Sequence, residues 1–158
     1  MPSIRQSAGI LLYRRLKPGR LEVLLVHPGG PFHQHKDAGA WSIPKGEFRT
    51  DEAPLQAAIR EFEEELGSPV PASEFKPLQP VMQKGGKTVY AWAAAGNFDC
   101  TQIKSNVCRI EYPYKSGRWL AIPEVDRAEW FEVSMAKGKI NAAQVAFLEE
   151  LADLLQGG

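Results

Sequence analysis

Apolar residues first gather in Ala8 to Tyr13 (AGILLY), a short continuous run of the kind that fills a buried strand. A Lys17-Pro18-Gly19 turn separates it from Leu21 to His27 (LEVLLVH), so the two runs predict a hairpin. A loop rich in glycine, proline and histidine follows (PGGPFHQHKDAGA). Trp41 to Glu47 (WSIPKGE) contains a proline and predicts a short or edge strand. The period then becomes helical. Leu55, Ala58, Ile59, Phe62 and Leu66 recur at i, i+3, i+4, i+7 and i+11, which is one apolar stripe. Thr50 or Asp51 is placed to cap this helix, and Gly67 and Pro69 end it.

After Pro80 the strand pattern returns as VMQ, a KGGK turn and TVYAWAAAG. Residues 100–120 read as irregular, with one strand around Val107 to Tyr112. Glu129 to Val133 predicts a short strand. Asn141 and Gln144 fit a capping box ahead of a last helix with a Val145, Leu148, Ala152, Leu155 stripe, and Gly157-Gly158 should fray. Strands interrupted by one long helix and closed by another predict an α/β sandwich with a mixed sheet, as a single domain over residues 1–158.

Composition adds mostly exclusions. The 158 residues balance Lys plus Arg against Asp plus Glu at 19 each, so net charge draws the chain to neither nucleic acid nor membrane. There is no apolar run of membrane-spanning length. The N-terminal apolar core is too short to read as a signal peptide. The two cysteines, Cys100 and Cys108, lack metal-ligand spacing, and together with the other features point to a reduced, cytoplasmic protein.

Charge becomes informative at Arg60 to Gly67, REFEEELG. The C-terminal end of a helix carries partial negative charge, and four glutamates crowd there. On a helical wheel Glu61, Glu64 and Glu65 share one face beside the apolar stripe, while Glu63 points elsewhere. Arg60 can pair with Glu64 or reach back to Glu52. Such a face is either a solvated acidic surface or an oxygen-rich site for a hard cation such as Mg²⁺ or Mn²⁺.

The wider stretch GEFRTDEAPLQAAIREFEEELGS, residues 46–68, resembles the Nudix box. Gly46, Glu52, Arg60, Glu61, Phe62, Glu64, Glu65 and Gly67 match it, and Ser68 departs where the family carries an apolar residue. AGILLYRR, LEVLLVH, WSIPKGE and PEVDRAEWFEV extend the likeness over most of the chain. The resemblance implies an α/β/α sandwich and a divalent-metal-dependent hydrolase of a nucleoside diphosphate linked to another moiety. It implies Glu61, Glu64 and Glu65 as metal ligands, with a backbone carbonyl of Lys45 or Gly46, and a Glu52–Arg60 pair supporting them. It places Glu61 and Glu64 in the catalytic set, Glu64 first as general base and Glu111 as the late-loop alternative.

Substrate contacts are expected from Trp41, Lys45, Lys84, Lys87 and Tyr112. Arg109, Lys115 and Arg118 are further phosphate candidates, and Tyr114 and Trp119 further stacking ones. Trp41 equally reads as a loop anchor, and KGGK as a polar turn. His27, His33 and His35 read as loop-exposed. The WSIPKGE stretch looks most like the diadenosine-polyphosphate members of the family. A tyrosine such members carry is replaced by the Gln83 to Gly85 region. Nucleoside-diphosphate sugars, ADP-ribose and nucleoside triphosphates therefore stay open as substrates, as does a non-catalytic nucleotide-binding module. A nucleotide is the expected partner, with no nucleic acid or membrane, for a monomer or homodimer.

Overall fold

A computed structural model describes residues 5–156, so the Gly157-Gly158 end lies outside the described residues. The strands are β1 (Gln6–Lys17), β2 (Arg20–Pro28), β3 (Lys45–Glu47), β4 (Lys76–Pro77), β5 (Val81–Gln83), β6 (Lys87–Ala95), β7 (Val107–Glu111), β8 (Trp119–Pro123) and β9 (Val125–Glu132). The helices are α1 (Pro54–Leu66), α2 (Val133–Lys139) and α3 (Val145–Gln156). Seven strands form one sheet in the order β4-β6-β1-β2-β9, with β3 alongside β1 and β5 alongside β6; β7 and β8 form a separate two-stranded sheet. β1 and β6 run parallel and the other pairs antiparallel, so the sheet is mixed.

β1 is apolar on both faces because helices cover both. Ala8, Ile10 and Leu12 pack with Ala58, Phe62 and Leu66 of α1. Leu11, on the other face, packs with Ala136 of α2 and Phe147, Leu148 and Leu151 of α3. The molecule is thus the expected α/β/α sandwich. Among the described residues no helix is long and apolar enough to cross a membrane.

Several local expectations are corrected. Neither Thr50 nor Asp51 caps α1; Ala53 holds the cap position without a side-chain bond, and Pro54 sets the first turn through its fixed φ. The α1 stop is as expected: Gly67 is left-handed and its N–H donates to the Glu63 carbonyl. Asn141 caps a short 3₁₀ turn, Ala142–Gln144, rather than α3 itself. Gln144 is fully buried and closes no capping box. Its amide instead donates to Ser42 Oγ and Gln83 Oε1 and accepts from the Ile43 N–H, tying three segments together. The buried stripe of α3 is Phe147, Leu148 and Leu151. The stretch 100–120 holds the β7–β8 hairpin, and α2 follows β9 directly.

Candidate active site

The box helix delivers its carboxylates to the edge of the sheet where β3 lies against β1. Gly46 pairs with Ala8, on the α1 face of the sheet. Any Cβ at Gly46 would overlap the Glu61 carboxylate, so the missing side chain is what lets that carboxylate rest on the strand. Lys45 pairs with Gly9, so its side chain leaves from the opposite face to that of Gly46. The Lys45 backbone N–H donates to Glu65 Oε1 at 3.2 Å.

Arg60 forms the hub. Its Nε and Nη2 donate to the two oxygens of Glu52 at 2.9 Å each, a bidentate pair that fixes the preceding loop on the helix. Its Nη1 also donates to Glu61 Oε1 at 2.9 Å and Glu64 Oε1 at 3.2 Å. The expected choice between Glu52 and Glu64 is therefore no choice. Because Arg60 bridges Glu61 and Glu64 while Glu65 turns to Lys45, no three carboxylate, imidazole or thiolate groups stand ready-gathered around one point among the described residues. Glu63 is exposed, as the wheel predicts.

The electrostatics record the crowding. Burial raises the Glu61 pKa above the usual carboxylate value, and Glu64 and Glu124 add to it against the pull of Arg60. Burial takes Glu65 from the ordinary 4.5 to about 8, with Lys45 opposing and Glu61 and Glu124 reinforcing. Burial, then Glu64, raises Glu124. Burial lowers Lys45, helped by neighbouring Lys87. Lys87 thus lies near enough to Lys45 to disfavour its charge, and both lie near the acids.

Glu124 is the residue that sequence reading missed. It sits between β8 and β9, and with Lys45 and Glu65 it lines a cavity of about 150 Å³. Its N–H donates to the Asn106 carbonyl, and the Asn106 N–H donates to the Glu64 carbonyl on α1. Glu111 is engaged elsewhere: its carboxylate accepts from the N–H groups of Lys115 at 3.1 Å and Gly117 at 2.9 Å, bracing the hairpin turn. A roomier cavity, about 430 Å³, involves Arg15, Arg20 and Glu132. Its arginines are already bonded to Glu22, Glu132 and the Leu155 carbonyl, and its one acid, Glu132, is neutralised by Arg20. Chemistry rather than size marks the site.

The other expected contacts divide. Trp41 is 1% exposed, its indole N–H donates to Asp37, and its ring meets His27, Phe131 and the Arg127 guanidinium. Those contacts give it the anchoring role rather than an open stacking face. His27 is not loop-exposed but fully buried at the end of β2. Its Nδ1 lies 2.9 Å from Asp126 Oδ1 and its Nε2 2.6 Å from the Lys36 carbonyl, so it ties the loop to β9. His33 is half-buried and its pKa is lowered, chiefly by burial; His35 is exposed. Lys84 is exposed on the β5–β6 turn, where Gly85 and Gly86 supply positive φ. Tyr112 meets Phe32 edge to face at 5.4 Å between ring centres.

Comparison with known proteins gives the same direction. The NUDIX domain family model matches residues 3–151. The rat bis(5′-nucleosyl)-tetraphosphatase (asymmetrical) is 27% identical over 139 residues, 80% of this chain and 86% of the rat protein. The mRNA-decapping protein g5R of African swine fever virus (Warthog isolate) is 30% identical over 105 residues, 62% of this chain; the match spans only 40% of the viral protein's length. Among solved structures, a Caenorhabditis elegans Ap4A hydrolase binary complex superposes with TM-score 0.68 at 24% identity, covering 96% of this chain and 99% of that one. The NUDIX domain of Shewanella oneidensis NrtR, complexed with ADP ribose, gives 0.66 at 15% identity, covering 98% and 90%. The two superpositions establish the fold alone. With the family model matched along nearly the whole chain, the protein belongs to the Nudix family.

Proposed function

We propose that the chain is a divalent-metal-dependent pyrophosphohydrolase that cleaves a nucleoside diphosphate linked to a further group, with a dinucleoside polyphosphate as its substrate. The observation that carries this is the clustering of Glu61, Glu64, Glu65 and Glu124, three of them with raised pKa values, near Lys45 and Lys87. Mutual repulsion among three buried or half-buried carboxylates of one helix, with the exposed Glu124 beside them, is unfavourable without a counter-charge. It suits an all-oxygen donor set that receives a hard divalent cation such as Mg²⁺ or Mn²⁺. Glu61, Glu64 and Glu65 would hold it, with Glu124 and a backbone carbonyl at Lys45 or Gly46. When bound, that cation offsets phosphate charge and acidifies a water ligand.

The chain's own residues do the rest. Arg60, clamped by Glu52, orients Glu61 and Glu64. Lys45 and Lys87 offer charge to phosphate oxygens beyond the acidic cluster, and Lys84 is placed to add to it from the turn. One glutamate must take the proton of the attacking water. Glu64 is one candidate. For the late-chain candidate, Glu124 replaces Glu111, because the Glu111 carboxylate is committed to two backbone N–H groups of its own hairpin. Glu124→Gln should lower kcat by about 10²- to 10⁴-fold, whereas Glu111→Gln should keep kcat within a few-fold. The reverse order, measured by steady-state kinetics, rejects this assignment.

The choice of a dinucleoside polyphosphate rests on the rat relative, whose likeness covers most of both chains. ADP-ribose is the second reading, favoured by the ligand of the Shewanella neighbour. A panel of dinucleoside polyphosphates, ADP-ribose, nucleotide sugars and nucleoside triphosphates, scored by kcat/KM, decides between them. Binding without turnover across that panel supports a non-catalytic module instead. The two free thiols, Cys100 and Cys108, suit a reducing setting.

A further inference from the structure

The β7–β8 hairpin stands on the acidic cluster. One foot is Asn106, whose N–H donates to the Glu64 carbonyl, and the other is Glu124. Lys104, just before the first foot, donates its N–H to the Leu66 carbonyl at the end of α1. Val107 pairs with Pro123, Arg109 with Ala121 and Glu111 with Trp119. Strand alternation therefore puts Val107, Arg109, Glu111, Trp119 and Ala121 on one face and Cys108, Ile110, Leu120 and Ile122 on the other. The second face is partly covered: Ile122 and Ile110 lie against Gly30, where any Cβ would overlap Ile122, while Leu120 stays 41% exposed. The first face is open, with Val107 64% and Trp119 55% exposed.

The open face is cationic as well as aromatic. The Arg109 guanidinium lies 5.8 Å from the Trp119 ring centre, and the Lys115 ammonium 5.5 Å from that of Tyr114 at the turn. Among the described residues Arg109, Lys115 and Arg118 form no ion pair. The one acid of the hairpin, Glu111, is consumed by backbone N–H groups at the turn. An aromatic face bordered by unpaired cations fits a base attached to a phosphate chain.

We propose that this hairpin face, centred on Trp119 and Arg109, stacks the second nucleoside of a polyphosphate-bridged dinucleotide whose chain begins at the acidic cluster. The inference rests on the function proposed above. Reach supports it: five residues separate Glu124 from Trp119, about 17 Å along an extended strand, which a polyphosphate plus a nucleoside spans. Area argues against a protein partner. Two five-residue strands present a ribbon of about 17 Å by 10 Å, far below the roughly 800 Å² per partner of a standard interface. Three cations on a chain of zero net charge also supply little of the phosphate neutralisation that drives binding of a nucleic-acid strand.

The test compares diadenosine tetraphosphate with adenosine tetraphosphate, which share a chain length and differ by one nucleoside. Trp119→Ala should lower the ratio of their kcat/KM values about tenfold, within the range of one lost base stack, through KM. Trp119→Phe should restore the ratio. Diadenosine tetraphosphate should quench wild-type tryptophan fluorescence more than that of Trp119→Phe. An unchanged ratio, or equal quenching, in variants that melt like the wild type overturns the proposal. So does Trp119-dependent binding of a 5′-triphosphorylated oligonucleotide tighter than that of the dinucleotide. Wild-type turnover on neither tetraphosphate, with Trp119-dependent quenching intact, would reject the hydrolase reading and leave the stacking face standing.

Discussion

Glu65→Gln and Glu64→Gln should each lower metal-supported turnover by about a thousandfold or more, the upper range for removing one preorganised electrostatic group. The substitution is close to isosteric. At position 65 the amide oxygen can still accept the Lys45 N–H, so the loop keeps its hydrogen bond and only the charge is lost. At position 64 Arg60 keeps Glu52 and Glu61 as partners, so the helix start stays clamped. Lost activity with an unchanged fold therefore isolates charge as the cause. Glu63→Gln is the control, since Glu63 is exposed on the other side of the wheel. Steady-state rates with circular dichroism check the set; retained turnover in either site variant removes that residue from the metal site.

The second large effect is on stability. Glu65 titrates near 8 in the folded protein against an ordinary 4.5, and burial raises Glu61 and Glu124 as well. Between those two values the folded chain holds a proton that the unfolded chain has released. Stability from this group is therefore complete below about pH 4.5 and is lost as pH rises through 8. Metal-free protein should melt at progressively lower temperature from pH 5 to pH 8. A divalent cation binds the deprotonated carboxylates, so its effect has the opposite pH dependence. At a hundredfold excess over Kd it adds about 2.7 kcal/mol, about 5–10 °C in Tm for a chain this size. In Glu65→Gln the fall from pH 5 to 8 should be shallower and the Mg²⁺ shift smaller. Calorimetry with and without metal at both pH values reads this directly, and identical slopes in the two proteins contradict it.

The parts of this site that were legible in sequence are those set by local spacing. One helical period puts Glu61, Glu64 and Glu65 together, Gly67 ends the helix, and the Glu52–Arg60 pair spans eight residues. Apolar runs and stripes likewise foretold β1, β2, α1 and the last helix, whereas α2, which shares the layer of α3, carried no stripe that was read. What was hidden depends on long-range pairing. Glu124 sits in a short loop with no pattern of its own; it reaches α1 because β9 pairs with β2 and Asn106 pins the hairpin to Glu64. Glu111 was the late-segment residue that sequence reading named, and only the fold separates it from Glu124. His27 ends an obvious buried run, yet its partner Asp126 is 99 residues away. The hairpin was read as irregular because its open face keeps Val107 and Trp119 in solvent, which blurs the polar alternation of an ordinary half-buried ribbon.

The most direct test of the account is product formation from diadenosine tetraphosphate by the wild-type chain, followed by chromatography in chelator and then in a Mg²⁺ titration. The proposed four-glutamate site predicts no cleavage in chelator, and cleavage that saturates with Mg²⁺ in the wild type but not in Glu65→Gln. Cleavage at the same rate in chelator, or an equal Mg²⁺ response in wild type and Glu65→Gln, would contradict it.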